Sequence, residues 1–223
     1  MLVWIAFAGA SEPVQRSLPV GIPALHVENP AGTVVIRSDP DAAESFVKAA
    51  PVRWPEGCRL DFSGDMDLAK VSVVRDEGNP RTCTTDIEVV LAGDTAVAVD
   101  QGRGSVQATG MGGSLSVELG AGRVIVAEAR DAVDVEVGLG GVHLSWTQDY
   151  GGSVAARVRA GRVRADVPYG TWLDHEVKAL VRRNPIPEGL DGSDTLTARA
   201  AIVRVDTAQS AVPTSTVVTW NKP

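Results

Sequence analysis

The sequence predicts an all-β protein: a parallel β-solenoid of about 18–21 residues per coil, with irregular β caps at both ends. Three observations predict it. The chain of 223 residues holds 34 Val and 23 Gly but only 4% aromatics, a strand-and-turn composition. Five segments share the pattern apolar-x-x-x-x-Gly-x-apolar-x-apolar, anchored on Gly32, Gly104, Gly122, Gly140 and Gly161, and the last four anchors lie 18, 18 and 21 residues apart. Within each copy apolar residues alternate, as in Leu115, Val117 and Leu119 and then Val124 and Val126. Period two marks strands with one buried face.

A unit of 18 residues is too short for a βαβ crossover and cannot bury its own apolar face, so copies must stack. One copy per coil is the economical arrangement, with glycine at each corner to permit positive φ or close backbone approach. A β-sandwich or a meander of short hairpins is the alternative, because glycine pairs also make hairpin turns.

Along the chain, Met1 to Ala10 (MLVWIAFAGA) is apolar and ends in the small-x-small pair Ala8 and Ala10, which reads as a signal peptide cleaved after Ala10. The run is short and no basic residue precedes it; the other reading is a buried first strand. Residues 11–95 read as an N-terminal β region and cap, with strands over 45–52, 58–63, 69–75 and 86–91. Residues 96–168 carry the solenoid repeats. Residues 169–223 read as a C-terminal cap with strands over 196–206 and 214–220. Within it, Asp174 to Arg183 fits either a short helix capped by Asp174 or a strand. Cys58 and Cys83 are the two cysteines, an even pair that suits one disulfide in an oxidising compartment; two reduced core thiols are the alternative. No lipobox cysteine follows the leader, so no lipid anchor is expected.

The strings VENPAGTVVIRSD and TDIEVVLAGDTAVAVDQGRGSV, and the repeats that end in GRVRADVPYG, together resemble the bacterial putative-adhesin domain family of exported β-solenoid proteins. The resemblance spans about residues 25 to 170 and rests on glycines and valines. It implies the fold and export, and brings no catalytic residues. The chain departs from its own pattern at Arg159, which takes the place of Gly102, Gly120 and Gly138.

No catalytic motif stands out. His26, His143 and His175 have no metal-site spacing, and neither a nucleophile elbow nor a P-loop is present. No catalytic residue, metal or cofactor is expected. Stacking by the repeat puts Asp100, Glu118 and Glu136 in one outward row with Arg157 next. These carboxylates form either a solvated face or a site for a cation, a basic partner or polysaccharide chemistry. Residues 94–149 hold eight acids and three arginines, net −5, whereas residues 154–168 hold four arginines and one acid, net +3. The formal net charge of −7 excludes a general nucleic-acid binder, and no apolar run is long enough to span a bilayer as a helix.

The expected function is therefore an exported, non-enzymatic, monomeric adhesin or scaffold of the periplasm, cell envelope or extracellular space, whose partner is an envelope protein or a glycan. A polysaccharide-active β-helix enzyme and a self-assembling solenoid are the alternatives.

Overall fold

The computed structural model describes the backbone of residues 3–6, 12–77, 82–145, 153–168, 173–183 and 194–208, and the side chains of 12–77, 82–145 and 153–166. Thirteen strands form one sheet. In chain order they are β1 (Val3–Ala6), β2 (Val14–Ser17), β3 (Ala24–Ser38), β4 (Phe46–Arg53), β5 (Cys58–Gly64), β6 (Leu68–Arg75) and β7 (Thr84–Leu91). Then follow β8 (Ala96–Thr109), β9 (Leu115–Ala127), β10 (Val133–Ser145), β11 (Ser153–Pro168), β12 (Leu173–Arg183) and β13 (Asp194–Ala208). Among the described residues there is no α-helix.

The repeats pair in parallel. β3, β8, β9, β10 and β11 lie side by side, and Gly32, Gly104, Gly122, Gly140 and Gly161 stand opposite one another in register. Each of these glycines has φ between +124° and +146°, a region open to glycine and closed to most other residues. They divide every repeat strand into two arms. Burial alternates along each arm and changes phase at the corner: Leu115, Val117 and Leu119 are buried before it, Val124 and Val126 after it. The phase change lets both arms send branched apolar side chains into the same core. Val99, Val117, Val135 and Ala156 are neighbours there, none more than 1% exposed.

Among the described residues six polar side chains are buried, and two of them stand on the repeat strands. Asn29 and Gln101 are paired on β3 and β8, where later strands carry Leu119, Val137 and Val158. The Gln101 amide donates to the carbonyls of Gly32 (2.6 Å) and Arg103 (3.1 Å), and Asn29 donates to the Thr85 carbonyl (2.9 Å). The amide nitrogens are thus satisfied by backbone carbonyls, whereas Asn29 Oδ1 and Gln101 Oε1 are buried without a hydrogen-bond partner.

The flanks differ. On its far side β3 meets two strands, β6 against its first arm and β7 against its second, both parallel. β5 and β4 then add antiparallel to β6 and β7, and β1 and β2 add antiparallel to β5 and β4. The four strands expected between 45 and 91 are all present. Residues 3–6, within the apolar run at the start of the chain, are the strand β1. At the other end the spatial order is β11-β13-β12. Residues 173–183, which fitted either a helix or a strand, form the strand β12, paired in parallel with β13. Cross-strand pairing there prevails over the helical spacing of Val177, Leu180 and Val181. The strand expected over 214–220 lies outside the described residues.

Candidate functional site

The glycine corner separates two outward faces with different chemistry. On the first arms, Glu28, Asp100, Glu118, Glu136 and Arg157 stand in one register row. Neighbours in such a row are about one strand spacing apart, roughly 4.8 Å. Each acid stands between two buried residues, a valine before it and Asn29, Gln101, Leu119 or Val137 after it, so it faces outward. Asp100 and Glu118 are exposed and Glu136 is partly so.

The row is partly neutralised by residues from other strands. His26 Nε2 lies 2.7 Å from Asp100 Oδ2 and 4.0 Å from Glu28 Oε1. Lys70 Nζ donates to Glu28 Oε1 (2.6 Å), and the Ser72 hydroxyl donates to Glu28 Oε2 (2.8 Å). Burial works against the Glu28 carboxylate, but the hydrogen bonds from Lys70 and Ser72, then the charges of Lys70 and His26, outweigh it and hold its pKa below the ordinary glutamate value. His26, Glu28 and Asp100 are one cluster with metal-ligand chemistry among the described residues. The Lys70 ammonium already serves the Glu28 oxygen that faces His26, so the arrangement is complete as an ion-pair network.

At the other end of the row, arginines of β11 reach back to acids of β10. Arg157 pairs with Asp134 (2.9 Å) and Arg159 with Glu136 (3.0 Å). Arg159 stands in the place that Gly102, Gly120 and Gly138 hold on the preceding strands. The Cβ that each of those glycines lacks would meet the carbonyl oxygen of the residue one strand earlier: Pro30, Gly102 and Gly120 respectively. Between these two ends Glu118 makes no ion pair among the described residues.

The second arms carry a basic face. Ser105, Arg123, Gly141 and Arg162 form one row; Gln107, Ile125, His143 and Arg164 form the next. Asp166 is the one acid on the second arms of β8 to β11. It is held by His143 Nε2 (2.6 Å) and Arg164 Nε (2.9 Å). Along the corner lies an open groove of about 900 Å³, floored by the glycine ladder and flanked by Arg123, Leu139, His143 and Arg162. Leu139 is 61% exposed.

Of the residues singled out from sequence, the five corner glycines and the row Asp100, Glu118 and Glu136 come together in register. Cys58 and Cys83 are joined in a disulfide, with Cα atoms 6.0 Å apart, linking the start of β5 to the residue before β7. His175 lies outside the described side chains, as do Trp146, Tyr150, Tyr169 and Trp172, the aromatics nearest the repeats. Sequence reasoning missed the cluster of His26, Glu28 and Lys70, because only the β3–β8 and β3–β6 pairings unite these strands. It also placed the charge asymmetry along the stack, between an acidic body and a basic last repeat. The structure adds a division around the corner: the first arms of β8 to β10 carry the acids, and the second arms of β9 and β11 carry arginines with one acid, Asp166.

No protein-family model matches the chain, and no curated protein matches it. Among solved structures, the chain is similar to a putative cell adhesion protein from Clostridium sporogenes, with 12% identity, a TM-score of 0.48, and coverage of 88% of this chain and 98% of that one. It is also similar to a putative adhesin from Bacteroides fragilis, with 10% identity, a TM-score of 0.36, and coverage of 95% and 97%. A putative adhesin from Parabacteroides merdae aligns at 7% identity with a TM-score of 0.31, covering 95% of this chain and 94% of that one.

Proposed function

We propose that the chain is an exported, non-enzymatic interaction module of the cell envelope, an adhesin or scaffold whose repeats form a parallel β-solenoid with β caps at both ends. The observation that carries this reading is the in-register ladder Gly104, Gly122, Gly140 and Gly161, which separates a row of outward acids on one arm from outward arginines on the other. Extended regular faces suit a large, repetitive partner better than a small substrate. The coil reading is supported by parallel pairing at steps of 18, 18 and 21 residues, too short for any crossover except a turn back to the start of the next strand.

Export is supported by the disulfide, which persists in oxidising compartments. The non-enzymatic reading is supported by the state of the carboxylates. Asp100 is hydrogen-bonded to His26, Glu136 is paired with Arg159, and all three acids sit on an open face. A general acid needs burial to raise its pKa and a cleft to exclude water; Asp100 and Glu118 are exposed, and the hollow of about 350 Å³ lined by Asp100, Glu118, Glu136 and Arg159 is open to solvent. A monomer is supported by the departure of both flanks from the repeat, antiparallel at one end and reordered as β11-β13-β12 at the other.

The test is fractionation and binding. The chain should be found outside the cytoplasm with Cys58 and Cys83 oxidised, and the purified protein should sediment with isolated envelopes of its source organism without altering their polysaccharide. A reduced cytoplasmic protein, no sedimentation, or cleavage of envelope polysaccharide would each overturn the reading.

A further inference from the structure

We infer that the groove on the second arms binds an anionic polysaccharide, gripped by Arg123 and Arg162 across the bare backbone of Gly141; this rests on the interaction-module reading and names its ligand.

The geometry starts from register. Arg123, Gly141 and Arg162 occupy the same position on three successive strands. The two arginines therefore rise from the sheet two strand spacings apart, about 10 Å, with a gap between them because Gly141 has no side chain. Both are exposed. Neither makes an ion pair among the described residues, in contrast to Arg157, Arg159 and Arg164, each of which is bound to a carboxylate. The nearby acid, Asp166, is already engaged by His143 and Arg164. Two guanidinium forks thus stand unneutralised over one groove, in a protein whose formal net charge is −7. A guanidinium fork recognises carboxylate, sulfate or phosphate through paired hydrogen bonds.

The floor narrows the ligand class. The groove runs across the strands along the glycine ladder, with Leu139 and Ile125 offering small apolar surfaces. The backbone N–H and C=O groups of these strands are engaged in the parallel ladder on both sides. A peptide would find no unpaired strand here, since strand addition uses a sheet edge. A polysaccharide needs none: its rings can lie on the glycine floor and its repeated acidic groups can meet successive arginines. Nucleic acid fits less well, because the basic strip is short and, among the described residues, no aromatic side chain lines it for base stacking.

The test uses polygalacturonate as a carboxylated probe, dextran sulfate as a sulfated one, neutral dextran and a short DNA duplex as controls, and isolated envelopes. Wild type should bind at least one anionic polysaccharide, more weakly as salt rises, and should bind neutral dextran and DNA at least tenfold less well. The variant R123A/R162A should lose at least tenfold in affinity for that polymer while melting at the wild-type temperature, and Glu118→Gln, on the other face, should bind as wild type does. Preference for the carboxylated or the sulfated probe identifies the anion. Equal binding by wild type and R123A/R162A, equal binding of neutral dextran or DNA, or no binding to either anionic probe overturns the inference. Failure of wild type to sediment with envelopes sinks the interaction-module reading itself. Sedimentation that R123A/R162A leaves unchanged sinks only the groove.

Discussion

The carbonyl oxygen of Gly122 lies where a Cβ on Gly140 would have to be. The same relation holds between Gly104 and Gly122 and between Gly140 and Gly161, so each corner closes on the backbone of the one before it. Positive φ adds a second reason for glycine at these positions. Gly140→Ala should therefore destabilise the protein by at least about 2 kcal/mol, and Gly140→Val by more. The adjacent Leu139→Ala, at an exposed position, should cost less than about 0.5 kcal/mol. Urea denaturation of the variants measures the difference; a Gly140→Ala protein as stable as Leu139→Ala would mean the corner is not tight.

Val135 and Glu136 are adjacent in sequence and face opposite environments. Val135 is fully buried between Val117 and Ala156, so Val135→Asp places a carboxylate in an apolar layer. The expected loss is several kcal/mol, a large part of a domain's total margin of roughly 5–15 kcal/mol. Glu136→Lys breaks one exposed pair with Arg159 and should cost no more than about 1 kcal/mol. Thermal melts that gave the two substitutions similar effects would contradict the alternation.

The disulfide closes a loop with a sequence separation of 25 between two buried cysteines. Chain entropy assigns such a cross-link about 3–4 kcal/mol. The double variant Cys58→Ala/Cys83→Ala should lose stability of that order, and wild type in strong reductant should show a similar drop. Reduced and oxidised proteins that melt together would show that the loop is held without the bond.

Glu28 makes acid stability depend on Lys70. Its folded pKa lies below the ordinary value despite the burial that opposes this, through the hydrogen bonds of Lys70 and Ser72. A carboxylate with a depressed folded pKa contributes stability above its unfolded pKa and loses it as pH falls through the folded one. Lys70→Met removes the main opposing charge and leaves the desolvation. The Glu28 pKa, followed by carboxyl NMR, should rise, and the acid-side loss of stability should begin at higher pH. An unmoved Glu28 titration would mean Lys70 does not hold it.

The parts of this protein legible from sequence are those written at a constant interval. The glycine anchors and the valine alternation fix register along β8 to β11, and with it the row Asp100, Glu118 and Glu136. The β3 copy was legible by its pattern around Gly32, but not the splitting of its far neighbours into β6 and β7, because no repeat marks them. Hence Lys70 and Ser72 could not be placed beside Glu28. The segment 173–183 was ambiguous because its apolar residues satisfy both periods, and only its pairing with β13 decides between them. Nothing in the sequence marks β13 as lying inside β12. The arginines of β11 were visible as a basic block, yet their reach back to Asp134 and Glu136 depends on strand stagger, which charge counting does not contain.

The spatial order β11-β13-β12 constrains the time at which the chain can fold. As residues emerge from the N-terminus, β9, β10 and β11 each find their partner in the strand made just before. β12 does not: the strand it pairs with is made after it, so β12 must wait unpaired until residue 208 has been synthesised and β13 has settled against β11. β3 also waits, for β6, β7 and β8. Growth therefore starts in the middle of the chain, where contacts are closest in sequence, and both ends close last. A chain released at residue 193 would keep its central strands while exposing β12 with no strand partner, and stalled translation products of that length are where protease sensitivity in this segment should be sought.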